Sequence, residues 1–238
     1  EIDFGFFILN KFGDSIDTKV FHLEGDDYIE NFEIDNNNII YAAGTRLNPT
    51  TLISELALYK INFNDSVNNI YRRYQNIDGN YSGYSLLKKH NSIYLTGSKN
   101  SGLSSSDFML RKVNQNTITT FDSIYYAESR DYSKGSNFTR DGNLILTGRS
   151  YSLSDQLSIL TMKVDTNGKE KWRTFTTIEN LGGASNCTSF GNSVIQASNS
   201  SYYIAGGTDN SCDTDPFSRG LNNSLLVKLD SNGNNVWV

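Results

Sequence analysis

The chain has 238 residues, with 26 acidic and 21 basic side chains and a formal net charge of -5. This balance provides no basic field to attract phosphate backbones, so we do not expect nucleic acid as a partner. Apolar runs such as Phe6 to Leu9 are far shorter than the roughly 20 residues of a membrane helix, so we expect no membrane span in this segment. Aromatic residues, Asn, Ser, Thr and Gly are abundant and proline is rare, which favours strands and tight turns and predicts an all-β fold.

Three anchors recur along the chain with a period of about 50 residues. An aromatic residue opens one segment, a glycine closes the next, and a lysine ends an apolar run further on. The distance from aromatic to glycine is 16 residues in all four repeats. The pairs are Tyr28 with Gly44, Tyr81 with Gly97, Tyr132 with Gly148, and Phe190 with Gly206. The lysines are Lys11, Lys60, Lys112, Lys163 and Lys228.

Each repeat accommodates four short strands, which we call A to D. Strand A follows the aromatic residue, strand B ends at the glycine, strand C carries the lysine, and strand D follows a second turn. A period of this length with several short strands is typical of a β-propeller blade. We therefore predict a single partial propeller of about four and a half four-stranded blades, from a parent with five or more. The predicted units are a C–D hairpin at 1–27 and repeats at 28–80, 81–131, 132–189 and 190–238.

The turn after strand C has the same chemistry in most repeats. Asp165-Thr166-Asn167-Gly168 and Asp230-Ser231-Asn232-Gly233 place an Asp two residues after the lysine and an Asn-Gly pair behind it. Such side chains cap their own backbone, and Asn-Gly accepts the left-handed conformation of a tight hairpin. We therefore interpret this stretch as a structural C–D turn and not as a metal-binding loop.

Only two cysteines are present, Cys187 and Cys212, and both fall where the last repeat is longer than the others. In an up-and-down blade the D–A and B–C loops emerge on the same face of the disc. Both cysteines therefore lie on one face, which favours a disulfide and an oxidising compartment. Two free thiols on separate loops are the alternative.

The longer B–C loop of the last repeat is our candidate binding loop, because recognition commonly resides in loops held by a rigid scaffold. Three of its carboxylates offer oxygen ligands that suit calcium, but the glycine and the terminal glutamate of a calcium loop are absent. We therefore favour a solvated loop with no metal or other cofactor, and calcium is the alternative. The candidate residues are Asp209, Asp213, Asp215, Phe217 and Arg219.

The sequence offers little for catalysis. His22 and His90 are the only histidines. His90 is in the A–B turn of the second full repeat, where a solvated side chain is expected, and His22 is in a strand. No metalloprotease, nucleophile-elbow or phosphate-loop motif occurs. We predict that the chain is not an enzyme and has no catalytic residue.

A resemblance can be stated for the repeat itself. DGNLILTGRS (Asp141 to Ser150), LTMKVDTNGKEKW (Leu160 to Trp172) and FGFFILNKFGDSIDTKVF (Phe4 to Phe21) resemble propeller repeats of secreted Bacteroidota proteins and the related bacterial delta-sixty repeats. The resemblance implies a secreted or cell-surface protein, exported across the outer membrane, often by the type IX secretion system. The triplets that begin at Asp14, Asp65 and Asp122 also match the Asp-Ser-apolar pattern of O-glycosylation in that phylum.

A second resemblance concerns VDTNGKEKW (Val164 to Trp172), which is similar to the tryptophan-docking repeat of quinoprotein dehydrogenases and of an outer-membrane assembly scaffold. Only Trp172 and Trp237 occupy the tryptophan position, and no adjacent cysteine pair exists, so we do not expect quinone binding.

The sequence therefore predicts a non-catalytic propeller that binds protein or glycan at the bacterial surface. One alternative is an enzyme propeller, of the glycoside hydrolase or quinoprotein type, with its active residues outside this segment. Another is a structural subunit of an envelope complex. The sequence also ends in an apolar strand pattern and shows no signal peptide, so we expect it to be a piece of a longer protein.

Overall fold

The computed structural model describes residues 4–21, 25–62, 70–74, 80–100, 105–116, 118–127, 130–151, 157–177, 188–208 and 223–237. These residues form eighteen β-strands and include no helix, which confirms the predicted all-β class. Because the described part contains no helix, it also contains none long and apolar enough to cross a membrane.

The strands form a leading hairpin and four antiparallel meanders, in which each strand pairs with the next along the chain. The leading hairpin is β1 (Phe4–Leu9) and β2 (Ser15–Phe21). Sheet 1 is β3 (Asp26–Ile34), β4 (Ile39–Leu47), β5 (Ser54–Asn62) and β6 (Ile70–Tyr74). Sheet 2 is β7 (Asn80–Lys89), β8 (Ser92–Asn100), β9 (Ser106–Asn114) and β10 (Thr119–Tyr125). Sheet 3 is β11 (Arg130–Phe138), β12 (Leu144–Tyr151), β13 (Leu157–Val164) and β14 (Glu170–Thr176). Sheet 4 is β15 (Ser189–Gln196), β16 (Tyr202–Thr208), β17 (Asn223–Leu229) and β18 (Asn235–Trp237).

Sheets 2 and 3 are joined by one parallel residue pair, Arg130 with Ser106. Elsewhere consecutive units pack face to face, and each of the four apolar cores lies between two neighbours. Strand β9 shows why its sequence is apolar throughout. Met109 packs toward sheet 1, whereas Phe108 and Leu110 pack toward sheet 3, and all three are fully buried. A sheet enclosed between two others needs apolar residues on both faces.

The first strand of each sheet lies where neighbouring sheets converge. Strand β7 contacts β3, β4 and β5, strand β11 contacts β7, β8 and β9, and strand β15 contacts β11, β12 and β13. A hydrogen bond of 2.8 Å between the hydroxyls of Ser85 and Ser136 joins β7 to β11 directly. The four first strands are therefore the inner strands of the assembly.

The recurring glycine has a steric cause. Each inner strand carries a β-bulge near the point where the glycine of the second strand faces it. A Cβ on Gly44 would lie 1.7 Å from the carbonyl oxygen of Tyr28, and a Cβ on Gly148 would lie 1.9 Å from that of Tyr132. No side chain fits at these distances. In sheets 1, 3 and 4 the facing carbonyl belongs to the opening aromatic, and in sheet 2 it belongs to Ser82, the residue after Tyr81.

In sheets 2 to 4, where the structure describes the caps of the C–D turns, these turns form as the sequence predicts. The Asp165 carboxylate accepts hydrogen bonds of 2.9 Å from the backbone amides of Asn167 and Lys169, and Gly168 has φ +82°. Asp230 and Asn114 cap their turns in the same way. This chemistry is local, which is why it can be predicted from a few residues.

The leading hairpin corrects one assignment. Its turn is capped by Asn10, whose side-chain oxygen accepts hydrogen bonds from the amides of Phe12 and Asp14. Counted from that residue, Ile8 occupies the position that lysine holds in the other units. The repeat pattern had placed Lys11 at the end of the apolar strand. That prediction was wrong, because Lys11 belongs to the turn.

The recurring lysine links one sheet to the next. Lys60 Nζ donates to the carbonyl of Gln115, and Lys112 Nζ donates to that of Thr166, both at 3.4 Å. Each acceptor is the second residue of the C–D turn in the following sheet. Lys163 instead forms an ion pair of 2.7 Å with Asp141 in its own sheet.

Replacing Lys112 by methionine is expected to lower the free energy of unfolding by about 1 to 2 kcal/mol. Methionine keeps the apolar stem but loses the bond to Thr166 and the placement of the ammonium 5.3 Å from the Tyr94 ring. Urea denaturation measures this difference. Lys171→Met is the matched control, because the Lys171 side chain is 45% exposed and its ion pair with Asp165 is 3.8 Å long. Equal losses in the two variants would show that the bond between sheets does not contribute.

Candidate functional site

Most of the residues selected from the sequence lie outside the described part of the chain. His90 is described, and it is an exposed residue with φ +52° in the turn between β7 and β8, as expected for a solvated turn position. The residues outside the described ranges are His22, Cys187, Asp209, Cys212, Asp213, Asp215, Phe217 and Arg219.

The bulges of the inner strands direct attention to another part of the molecule. Each bulge inserts one extra residue, and these residues are Glu30, Tyr84, Lys134 and Asn192. The surrounding strands repeat one pattern, but these four side chains differ completely in chemistry. Bulges commonly re-aim a side chain next to a binding or catalytic site. The bulge positions are therefore candidates for function.

Lys134 connects two of these bulges. Its Nζ lies 3.7 Å from the centroid of the Tyr84 ring, so the ammonium of sheet 3 stacks on a tyrosine of sheet 2. Burial lowers the pKa of Lys134, Glu30 opposes this effect, and the nearby charge of Arg149 adds to it. The pKa of Lys134 is thus affected by one second cation, Arg149, and by one exposed carboxylate, Glu30.

Arg149 is held by two tyrosines. In sheet 3 it lies directly opposite Tyr132, and its guanidinium is 4.5 Å from that ring and 5.7 Å from the ring of Tyr151. The two rings meet edge to face at 6.4 Å. We call Tyr84, Tyr132, Lys134, Arg149 and Tyr151 the cation–tyrosine cluster. All five are half-buried, so each keeps a surface that a ligand can reach.

The two cations of this cluster are unusual in their bonding. In the described part of the chain, neither Lys134 nor Arg149 forms an ion pair within 4 Å, and the buried Nε of Arg149 has no hydrogen-bond partner. Arg111 shows the contrast, because its guanidinium binds Asp122 through two nitrogens at 2.6 and 2.7 Å. No carboxylate of the described residues therefore lies within 4 Å of either cation.

A separate polar network lies at the start of sheet 1 and is closed to solvent. Asp27, Arg46 and Glu55 stand side by side across three strands, and none is more than 3% exposed. Tyr59 donates to Asp27 at 2.6 Å, and Asn48 donates to Glu55 at 3.0 Å. Burial, followed by the bond to Asp27, raises the pKa of Tyr59. This network stabilises the sheet and offers no surface for a ligand.

Two further carboxylates, Asp107 and Asp131, are also buried, at 3% and 0% exposure. Burial raises the pKa of Asp107 to about 6, and the charge of Asp131 adds to the effect. Asp131 accepts a hydrogen bond of 3.1 Å from the amide of Ala127. A carboxylate with a raised pKa can act in acid–base catalysis. These two lack the exposed surface that a substrate would need, which favours a structural role.

The cation–tyrosine cluster was not among the candidates selected from the sequence. A bulge breaks the two-residue alternation of a strand, so Lys134 cannot be assigned to a face from the pattern alone. One feature of the sequence could have identified the bulge residues. They stand two or three places after each opening aromatic, and their chemistry differs from repeat to repeat: Glu30, Tyr84, Lys134 and Asn192.

Comparison with known proteins does not assign this chain to a family. No protein-family model matches this chain, and no curated protein shares significant sequence similarity with it. Among the described residues, no group of three or more His, Cys, Asp or Glu side chains is placed to hold a metal ion. Function must therefore be argued from the chemistry of the cluster itself.

Proposed function

We propose that this chain is a non-catalytic binding module of a secreted or cell-surface bacterial protein, built as a β-propeller, and that it binds glycan or protein through the cation–tyrosine cluster. The observation that carries the proposal is the placement of two cations, without ion-pair partners in the described chain, among half-buried tyrosines on a repeated scaffold. Such a scaffold holds its side chains in place before a ligand arrives, which lowers the entropic cost of binding.

Three features support the propeller architecture. The sheets are four-stranded meanders, consecutive sheets pack face to face, and the first strands converge. The outward face of sheet 4 is further support for the proposal that another sheet packs against it, and thus for five or more blades. Its outward row, in which Ile195 and Trp237 are exposed, repeats the row that sheet 2 packs against sheet 3. The buried row is Leu87, Tyr94, Lys112 and Phe121, and the row on sheet 4 is Ile195, Tyr203, Lys228 and Trp237.

The location at the cell surface is supported by the resemblance of the repeats to those of secreted Bacteroidota proteins. A disulfide between Cys187 and Cys212 belongs to the same proposal, since it requires an oxidising compartment. The segment from Asp209 to Arg219 is proposed as a second recognition element. Replacing Asp213 to Arg219 by a short Gly-Ser turn tests that element without removing any described strand.

The proposed function is tested by binding of the purified chain to arrays of bacterial and plant glycans and of extracellular matrix proteins. We expect a reproducible set of ligands, and we expect Tyr84→Ala to lower their affinity at least tenfold because it removes the ring beneath Lys134. Tyr126→Ala is the matched control, since that side chain is 69% exposed and lies outside the cluster.

The proposal fails if the folded chain binds no arrayed ligand. It also fails for this site if Tyr84→Ala and Tyr126→Ala bind as tightly as the unaltered chain. Circular dichroism of each variant separates loss of binding from loss of fold.

A further inference from the structure

We propose that the outward face of sheet 4 binds the leading hairpin of a second copy of this chain, so that copies associate head to tail. Such association is separate from the proposed ligand binding, and it identifies the sheet that the proposed architecture places on sheet 4.

The contact between sheets 2 and 3 shows what the repeated row of side chains holds. Lys112 Nζ donates to the carbonyl of Thr166 at 3.4 Å, and the Tyr125 hydroxyl donates to that of Gly168 at 2.8 Å. A Cβ on Gly168 would lie 2.9 Å from the Phe121 ring, so the ring can lie against this turn only because the turn carries glycine there. The row of one sheet therefore recognises a hairpin turn with glycine at its fourth position.

The aromatic part of this contact recurs between sheets 3 and 4. A Cβ on Gly233 would lie 2.6 Å from the Trp172 ring, and the Thr174 hydroxyl donates to the carbonyl of Gly233 at 2.5 Å. Here Lys163 binds Asp141 rather than the turn. In both interfaces the aromatic residue that lies opposite the lysine in the C–D hairpin contacts the turn glycine of the next sheet. The contact is thus a property of the repeat.

The outward face of sheet 4 presents the same row in an exposed form. Lys228 lies opposite Trp237, as the lysine and the aromatic residue do in sheets 2 and 3. Lys228 Nζ is 5.7 Å from the centroid of the Tyr203 ring, whose centroid is 6.1 Å from that of Trp237. Trp237 is 42% exposed, and Ile195 and Leu226 on the same face are about half exposed. The side chains that hold a turn in sheet 2 are therefore assembled here and accessible.

The leading hairpin supplies a matching turn. Asn10 caps it by accepting from two backbone amides, as Asp165 does in sheet 3. Gly13 has φ +90°, close to the +82° of Gly168. A Cβ on Gly13 would meet no atom within 4 Å, so in the described chain no ring from another strand lies against this turn. The turn has the geometry that the row recognises, and it is open.

The face of the hairpin beside this turn is also exposed. In sheet 3, Met162 and Val164 lie three residues and one residue before the capping Asp and belong to the core shared with sheet 2. Phe7 and Leu9 hold the same two positions before Asn10. Phe7 is 75% exposed and Leu9 55%. Apolar side chains grouped in this way commonly mark an interaction surface.

The two exposed surfaces differ and complement each other, which makes the contact heterologous. Such a contact joins sheet 4 of one copy to the leading hairpin of the next, and it extends into open chains or closes into a ring. Pairing of two sheet 4 faces would instead leave Lys228 without a turn carbonyl and the turn at Gly13 without a ring. The head-to-tail arrangement satisfies both.

Sedimentation velocity of the whole chain tests this association. We expect the average mass to rise with protein concentration in the micromolar range. Trp237→Asp and Phe7→Asp should each weaken association by roughly tenfold or more, because each places a charge in one of the two apolar surfaces. Tyr126→Asp is the control and should associate like the unaltered chain, since Tyr126 is 69% exposed and belongs to neither surface.

Gly13→Ala tests the turn itself. Its Cβ should meet the Trp237 ring of the neighbouring copy, as a Cβ on Gly168 would meet Phe121, and weaken association by roughly tenfold or more. In the dilute, unassociated chain the added Cβ meets no atom, so this steric effect is confined to the association. Gly142→Ala is the matched control, because Gly142 has φ +80° and its Cβ would meet only a side-chain nitrogen at 3.6 Å.

A mixture of Trp237→Asp and Phe7→Asp tests the head-to-tail order. The first variant keeps an intact hairpin and the second an intact sheet 4 face, so the mixture should form dimers with one copy of each and nothing larger. Where either variant changes the circular dichroism spectrum, Lys228→Met and Gly13→Ala take their places in the mixture.

The inferred association is wrong if the unaltered chain stays monomeric, if Phe7→Asp associates as the unaltered chain does, or if the mixture forms no dimers. The ligand arrays report separately on the proposed function. A monomeric chain that binds arrayed ligands would refute the association alone, and an associating chain that binds none would refute the ligand binding alone.

Discussion

Replacing Gly148 by alanine is expected to lower the free energy of unfolding by about 3 kcal/mol or more, which is at the upper end of the usual cost of overpacking. The added Cβ would lie 1.9 Å from the carbonyl oxygen of Tyr132 and 2.9 Å from the Phe108 ring. The first of these atoms is backbone and cannot rotate away. Relief would require β11 and β12 to separate, which would also displace the bulge that carries Lys134.

Gly13→Ala is the control for this substitution. Gly13 has φ +90°, but a Cβ there would meet no atom within 4 Å. Its cost is therefore limited to backbone strain, about 1 kcal/mol. Urea denaturation of both variants gives the comparison. A loss at Gly148 no larger than the loss at Gly13 would refute the steric explanation of the recurring glycine.

Replacing Asp107 by asparagine is expected to raise the free energy of unfolding by about 1 to 3 kcal/mol at pH 7.5. Asp107 is 3% exposed, and burial raises its pKa to about 6 from the ordinary value of 3.8, with Asp131 adding to the effect. Asparagine has nearly the same shape but carries no charge that must be desolvated beside another carboxylate.

The pH dependence has a definite sign. Between about pH 4 and pH 6 the folded chain holds a proton on Asp107 that the unfolded chain has lost, so stability falls as pH rises through this window. Asp107→Asn should lack this part of the decline. Its advantage over the unaltered chain should therefore grow from pH 4.5 to pH 7.5. Urea denaturation across this range measures it.

Asp17→Asn, at an exposed position in β2, is the control and should change stability by less than about 0.5 kcal/mol at any pH. An Asp107→Asn variant that is destabilised equally at pH 4.5 and pH 7.5 would mean that the carboxylate is held by hydrogen bonds and not opposed by burial.

Local chemistry explains which predictions succeeded. The turn at Asp165 needs only its own five residues, and the all-apolar strand at Phe108 reflects burial on both faces of one sheet. Both leave a pattern that can be recognised within a short window of sequence. The assignment of Lys11 was wrong because the leading hairpin lacks the lysine that marks the other units, and Asn10 caps the turn instead.

The sequence by itself determined the all-β class, the spacing of the glycines and the chemistry of the C–D turns, because each depends on residues close together in the chain. Only the tertiary structure decided why Gly148 must be glycine, and that Lys134 stacks on Tyr84, 50 residues away in another sheet. A bulge moves a side chain out of the regular alternation, and a contact between sheets has no period in the sequence. The cation–tyrosine cluster depends on both, so it exists only once the sheets have packed.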